Sequence, residues 1–330
     1  MDLTHEVARL QKTGLGRNNI AKILNLSLGQ VAYLQRKIKS EQQGVIQESN
    51  PVPAENIYWR DMISSIKSMQ RMDSKVSSFQ QQPDIKLNVD GPICVVPLAD
   101  FHIGAYGTDY DMLSQITDEL LNTPNLYTIL LGDELDFTIK MRSVPEVFSG
   151  VLTPEQQVAF CVSWFQDIKP KVIASIAGNH DLRAYQQSGI NIHKHIFSKF
   201  VPYSPGIMHI RLHVNDVVYN IAGNHVFKGY SMYNKTHGHK RFSREKYPEG
   251  DVYLAGHTHQ PAYMWEMEHG KEKLYINAGT LKTNDEYSKT YYTLKTHPQF
   301  PCFVLYPDKR RIVPLPSVGD WINMQSSVVK

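Results

Sequence analysis

Five short apolar segments, each running straight into a loop of Asp, Asn, His and Gly, constrain this chain more than any other feature. Ile93–Leu98 is followed by Asp100-Phe101-His102-Ile103-Gly104, and Tyr127–Leu131 by Gly132-Asp133-Glu134-Leu135-Asp136. Lys171–Ile176 leads to Gly178-Asn179-His180-Asp181, Val217–Ile221 to Gly223-Asn224-His225, and Val252–Ala255 to Gly256-His257-Thr258-His259. Such continuous apolar runs read as buried strands, and Leu274–Ile276 adds a sixth. Helical patterns at Met112–Leu121 and Pro154–Phe165 separate the first three, which predicts an α/β sheet with covered faces. Ligands of open α/β sheets bind outside the carboxyl ends of the strands, so the five loops are expected to converge. Any one loop alone is a turn sequence. Five in order, each directly after an apolar strand, read as one site.

The donor types narrow the chemistry. Asp, Asn and His without Cys suit Mn, Fe, Zn, Ni or Mg and not a structural zinc. Asp100-x-His102 and His257-x-His259 would each place two donors on one side of an extended strand end, because side chains alternate. Two such pairs and a carboxylate from another strand supply donors for two ions. One aspartate bridging ions about 3.5–4 Å apart is the arrangement that hydrolyses phosphoesters.

Asp100-x-His102, Gly132-Asp133-x-x-Asp136, Gly178-Asn179-His180-Asp181, His225 and Gly256-His257-x-His259 together resemble the five motifs of the calcineurin-like metallophosphoesterases. The resemblance spans about residues 92–285 and implies a four-layer double β-sandwich of α/β class flanked by helices, with a dinuclear site. Carried over by position, it implies Asp100, His102, Asp133 and His259 around one ion, and Asp133, Asn179, His225 and His257 around the other. It further implies that His180 faces the leaving-group oxygen as general acid, with the Asp136 carboxylate fixing its tautomer. The implied cofactors are two divalent ions, Mn²⁺ first, with Mg²⁺, Fe²⁺, Zn²⁺ and Ni²⁺ as alternatives. The protein-phosphatase branch carries Arg directly after the second Asp and another before Gly-Asn-His. Phe137 and Ala177 hold those places here, which argues against phosphoprotein substrates. The opening Asp-x-His-x-Gly is similar to the nuclease branch that includes double-strand-break repair exonucleases, and it also occurs in other phosphodiesterases. Val226 follows His225 where the family usually has Gly, and His237-Gly238 is a rival for the fourth motif. The strand-end position favours His225.

The 330 residues suit about two domains of roughly 150 residues. Residues 1–44 read as a helical domain, 45–90 as a linker with a helix at about 54–79, 91–315 as the catalytic domain and 316–330 as a tail. Three cysteines far apart (Cys94, Cys161, Cys302) exclude a disulfide scaffold and a zinc ribbon and suit a reducing compartment. No apolar stretch reaches the roughly 18 residues of a membrane helix. No apolar core follows Met1-Asp2-Leu3-Thr4-His5-Glu6, so the expectation is a cytoplasmic protein without a membrane partner. Residues 1–45 carry seven Lys/Arg against three Asp/Glu, 46–90 five against six, and 91–330 twenty-three against twenty-three. The positive excess therefore sits at the N-terminus, where a polyanion partner would meet it.

In that segment Val7, Leu10, Ile20, Ile23 and Leu24 have helical spacing, broken at Gly14-Leu15-Gly16. A third helix starts near Ser27, a capping residue, and carries Val31, Leu34 and Ile38 on one face. Ala21, Asn25, Val31 and Leu34 resemble the spacing of a helix-turn-helix. That resemblance turns Gln30, Tyr33, Arg36 and Lys37 outward to bases and phosphates, with DNA as partner. The alternative is a plain three-helix bundle used for self-association. The 54–79 helix, with its Met/Ile stripe, is expected to pack or to join copies of the chain. A helix-turn-helix joined to this kind of phosphoesterase resembles proteins of bacteriophages and their hosts.

Between the fourth and fifth motifs, residues 228–246 hold six Lys/Arg against Glu245, interleaved with Tyr230, Tyr233 and Phe242. Cations for phosphates and rings for bases suit a single strand, which nominates Lys240, Arg241 and Arg244 as nucleic-acid contacts; the alternative is a solvated loop. The sequence thus favours a DNA nuclease. It keeps open a small-molecule phosphodiesterase or phosphatase with an N-terminal assembly module. A DNA-binding regulatory or structural protein with a dead site is the third reading, against which the intact ligand set argues.

Overall fold

The computed structural model describes residues 3–43, 63, 66–68, 70–71, 82–137, 150–229, 231–268, 270–283 and 299–328. The chain divides into two units, residues 1–77 and 78–330. The first contains α1 (Leu3–Lys12), α2 (Arg17–Leu24) and α3 (Leu28–Gln43) around Val7, Leu10, Ile20, Ala21 and Val31. Asn25 ends α2 at φ 49°, its N–H donating to the Ala21 carbonyl, a left-handed cap that Asn tolerates. The Ser27 hydroxyl accepts the Gln30 N–H (3.2 Å) and the Gln30 side-chain oxygen accepts the Ser27 N–H (2.8 Å), a reciprocal cap that starts α3. Of the helix expected at 54–79, positions 63, 66–68, 70 and 71 are helical; the rest lies outside the described residues.

The second unit begins earlier than the expected residue 91, because β1 (Asp84–Leu87) pairs in parallel with β6 (Met208–Val214). One sheet is centred on parallel β2 (Ile93–Leu98), β3 (Leu126–Leu130) and β4 (Val172–Ile176). It is extended by β5 (Tyr203–Ser204) beyond β4, and by antiparallel β11 (Cys302–Leu305) and β12 (Ile312–Leu315) beyond β2. The other runs β1-β6-β7-β8-β10-β9, with β7 (Val217–Gly223), β8 (Val252–Ala255), β9 (Ala262–Glu268) and β10 (Lys271–Asn277).

Strand alternation splits the core in two. Ile93 and Val95 of β2 face Ile210, Ile221, Leu254 and Ile276 of the other sheet. Cys94, Val96 and Leu98 face the helices instead. Those helices are α4 (Tyr110–Asn122), α5 (Pro154–Ile168), the short α6 (Arg183–Ser188) and α7 (Ile192–Phe197), which contribute Leu113, Ile116, Trp164, Phe165, Ala184 and Phe197. Asp109 caps α4 by accepting the Met112 N–H at 2.9 Å, and α5 starts with a Thr153/Gln156 capping box and Pro154. On the far face α8 (His237–Glu245) lays Phe242 on Phe227 (4.6 Å between centroids) over Tyr253 and Tyr275. Helix, sheet, sheet, helix make the four layers that the family resemblance implies. The segment expected as a tail forms α9 (Val318–Val328), whose Val318 and Trp321 complete the outer core. All three cysteines are buried and free. Among the described residues no helix is long and apolar enough to cross a membrane.

Candidate metal centre

The loops after β2, β3, β4, β7 and β8 meet at one edge of the sandwich. Their backbone departs from the extended form expected for Asp-x-His and His-x-His. Asp100 (φ 56°), His102 (50°), Asp133 (58°), His257 (71°) and His259 (55°) are all left-handed. Asp and His tolerate this region better than most residues, yet each such turn costs on the order of 1–3 kcal/mol. The backbone is therefore wound tightly enough to aim donors inward from several strands. Gly132 and Gly178 make the close approach possible: a Cβ on Gly132 would lie 2.1 Å from the Gly178 nitrogen, and one on Gly178 2.1 Å from Asp133 Oδ1. Hydrogen bonds lock the loops together. The His102 N–H donates to the Asp133 carbonyl (2.9 Å), the His257 N–H to Asp100 Oδ2 (2.7 Å), and the His180 N–H to Asp133 Oδ1 (2.7 Å).

Two donor sets result. In the first, His102 Nε2 and His259 Nε2 stand 3.2 Å apart, with Asp100 Oδ1 3.4 Å from His259 and 3.9 Å from His102. In the second, His225 Nε2 lies 3.2 Å from Asp133 Oδ2, 3.2 Å from His257 Nδ1 and 3.0 Å from Asn179 Oδ1. All seven residues assigned as ligands from the motifs thus fall into these sets. His225 sits among them, anchored by its Nδ1–H to the Leu131 carbonyl (2.8 Å), whereas the rival His237 begins α8 on the outer layer.

Asp136 differs from expectation. Its carboxylate bonds to His102 Nδ1 at 3.1 Å and stands 3.6 Å from His180 Nδ1, which bonds instead to the Asp136 backbone carbonyl at 2.6 Å. The side chain therefore aims His102 Nε2 inward, as a carboxylate behind a ligating histidine does, and the peptide oxygen orients His180. The tight turn after Asp133 brings both acceptors of one residue to two imidazoles.

The donor chemistry fits divalent ions. Asp100 Oδ1 is buried and accepts no hydrogen bond, a costly state for a carboxylate oxygen and a natural one for a ligand. Burial pulls the His102 pKa to about 4 against the pull of Asp136, which keeps that imidazole neutral. Burial also acts to lower His225, but its bond to Asp133 and that carboxylate's charge hold it up at about 10. Asp133, which burial alone would raise, is held well below the carboxylate range by His225. Asp133 Oδ2, Asn179 Oδ1 and His257 Nδ1 thus all turn toward His225 Nε2, an arrangement that a cation among them would satisfy.

Several residues of the centre carried no assigned role in the sequence. Asp181, fully buried, accepts the N–H groups of Asp133 (2.6 Å), Gly178 (2.8 Å) and Leu135 (3.1 Å), tying two metal loops to one carboxylate. Beneath it Glu134 and His193 are fully buried and 2.8 Å apart. Burial and then the charge of Asp181 push the Glu134 carboxyl up to about 7, while Asp181 and Glu134 outweigh burial and raise His193. Arg183 donates to His180 Nε2 (2.8 Å) and to the Asp136 carbonyl (3.2 Å), and Lys282 Nζ lies 3.7 Å from Asp136 Oδ1. Asp181 and Arg183 had a signal, lying one and three residues past His180; His193 had none. Phe137 and Ala177 are buried in the outer core.

Of the residues nominated for nucleic acid, Lys240, Arg241 and Arg244 lie on α8 and not in the five metal loops. Lys240 is paired with Glu266, Arg241 with Glu245 (2.9 Å) and Arg244 with Glu268 (3.0 Å), so acids of β9 meet the charge that the segment shows in isolation. The segment is also half helix, as α8, and Tyr230 lies outside the described residues. On α3, Tyr33 and Arg36 are exposed and Lys37 is half-buried, while the Gln30 side chain is engaged in the cap of its own helix.

The calcineurin-like phosphoesterase superfamily domain matches residues 98–299, which hold every donor described above. Vps29 of Chaetomium thermophilum is similar in structure, at 11% identity and a TM-score of 0.39, covering 68% of this chain and 96% of its own. A phosphatase from Mycoplasma pneumoniae gives 12% identity and a TM-score of 0.37, over 68% of this chain and 93% of its own. No curated protein matches the chain. With the superfamily domain spanning well over half its length and containing the metal loops, the chain belongs to the calcineurin-like phosphoesterases.

Proposed function

We propose that this chain is a phosphodiesterase dependent on two divalent metal ions, Mn²⁺ first among them, that cleaves nucleic acid. DNA is the expected substrate and the N-terminal helices the targeting module. One observation carries the reading: Asp100, His102 and His259, and beside them Asp133, His225 and His257, bring two sets of ligand atoms, each within 4.8 Å of one another, to a shared edge. Ions held there supply charge for the phosphoryl oxygens and lower the pKa of a water nucleophile. The protein's part is orientation and proton transfer. The Asp136 carboxylate aims His102, and the Leu131 carbonyl aims His225. His180, its Nδ1–H held by the Asp136 carbonyl, keeps Nε2 as the atom that would pass a proton to the leaving oxygen.

Support for a polymeric substrate comes from Tyr106, 79% exposed and two residues beyond Gly104, which offers a ring for stacking beside the centre, and from exposed Tyr33 and Arg36 on α3. The carboxylate-paired state of Lys240, Arg241 and Arg244 favours the second reading, a small-molecule phosphodiesterase or phosphatase. Incubation of the full chain and of Asp133→Ala with Mn²⁺ and single- or double-stranded DNA, beside bis(p-nitrophenyl) phosphate, separates them. DNA cleavage by the wild type alone supports the nuclease. Turnover confined to the small ester supports the second reading. No turnover by either protein would leave a binding protein with an inactive site.

A further inference from the structure

We propose that Arg183 is the residue that grips the non-bridging oxygens of the substrate's phosphoryl group, an inference that rests on the phosphoesterase reading above. Arg183 opens α6, three residues after His180, and is half-buried beside His180 and Asp136. Its two hydrogen bonds go to neutral acceptors, His180 Nε2 at 2.8 Å and the Asp136 carbonyl at 3.2 Å. Among the described residues no carboxylate pairs with it, in contrast to Lys240, Arg241, Arg244 and Arg310. A half-buried arginine that meets only neutral acceptors among the described residues is an expensive arrangement, and its planar fork of five donors matches phosphate oxygens two at a time.

The contact with His180 fixes where that anion would lie. Arginine only donates, so His180 Nε2 accepts from it and Nδ1 carries the hydrogen given to the Asp136 carbonyl. An ester oxygen placed to meet Nε2 has its phosphorus and non-bridging oxygens within reach of the same guanidinium. Turning the fork from Nε2 to those oxygens exchanges a neutral acceptor for a charged one and uncovers Nε2, which takes a proton from solvent before it can pass one to the leaving oxygen. Lys282, whose Nζ lies 3.7 Å from Asp136 Oδ1, is a second cation near Asp136 among the described residues. Phe137 and Ala177 are core residues and bring no charge from the facing loops.

Inorganic phosphate is the probe. Its affinity for the Mn²⁺-loaded full chain is measured by calorimetry for wild type, Arg183→Lys and Arg183→Gln, with bound metal counted in each and KM and kcat taken on bis(p-nitrophenyl) phosphate. Loss of a charge-assisted, forked contact predicts phosphate affinity and KM worse by about tenfold to a hundredfold in Arg183→Gln, a smaller loss in Arg183→Lys, and unchanged metal content. Equal phosphate affinity and KM in wild type and Arg183→Gln, with only kcat reduced, would make Arg183 a support for His180 and overturn the proposal. Loss of metal in Arg183→Gln, or no phosphate binding by the wild type, overturns it as well. A wild type that binds phosphate through Arg183 yet hydrolyses neither the diester nor a monoester would remove the phosphoesterase reading and overturn this proposal with it, leaving Arg183 a phosphate-binding residue without a substrate.

Discussion

Asp181→Asn is the substitution whose cost can be worked most directly from the geometry. Asp181 Oδ2 accepts the N–H groups of Asp133 (2.6 Å) and Gly178 (2.8 Å), and Oδ1 accepts that of Leu135 (3.1 Å). An asparagine has one carbonyl oxygen. Placed at Oδ2, that oxygen keeps two bonds but makes them neutral, a loss of about 1 kcal/mol each. The amide NH₂ then points at the Leu135 N–H, leaving a buried donor unmet at a cost of roughly 1–3 kcal/mol. Against this, Glu134 no longer faces a second negative charge, the cause after burial of its raised pKa. Allowing on the order of 1 kcal/mol for that relief leaves a net loss of roughly 2–4 kcal/mol. In a unit of this size that lowers Tm by about 4–16 °C. Thermal unfolding of the metal-free chain reads the first effect. Metal titration reads the second, because the freed backbone carries Asp133 and Asn179, and loss of such outer support weakens metal affinity by about tenfold to a hundredfold. A Tm within about 1 °C of wild type, with metal affinity unchanged, would show that Asp181 does not hold these loops.

His180→Ala should retain both metals while turnover falls by roughly 10²–10⁴-fold, and Asp133→Ala should lose metal; equal metal loss in both would make His180 a ligand, as metal analysis beside kinetics will tell. Gly178→Ala puts a Cβ 2.1 Å from Asp133 Oδ1, so weaker metal binding is expected on titration even where circular dichroism shows the fold intact. His239 on α8 is buried, and burial pulls its pKa down to about 4. The unfolded chain therefore binds a proton near pH 6.5 that the folded chain refuses, and stability falls by up to about 3 kcal/mol as pH drops from 6.5 to 4. Urea midpoints across that range should slope less in His239→Gln, and parallel slopes would contradict the assignment.

The parts of this fold legible in the sequence are those in which one side of the physics decides. β2, β4 and β8 are buried on both faces and are mostly apolar runs; the bounds of β2 and β8 follow from composition, whereas β4 starts one residue after the expected Lys171, which belongs to the 3-10 turn before it. β6 and β9 alternate, as Met208–Val214 and Ala262–Glu268 show, and their polar faces hide them among surface segments. β1 alternates too and acquires its partner from a strand more than a hundred residues away. The ligand types at the strand ends were equally visible, because no other common structural role puts Asp, Asn and His together five times. Their partners were not. Which imidazole Asp136 aims depends on a left-handed turn at Asp133 that places its carboxylate and its carbonyl against different histidines, and two imidazoles spaced 34 and 44 residues from it look alike in the sequence. Charge counting along a segment omits partners for a related reason. Residues 228–246 are basic as a segment, yet Glu266 and Glu268 arrive on β9 and pair with Lys240 and Arg244, so the excess that remains has to be sought side chain by side chain. Arg183 survives that search because its neighbours are a histidine nitrogen and a peptide oxygen, groups that can hold a guanidinium in place without cancelling its charge.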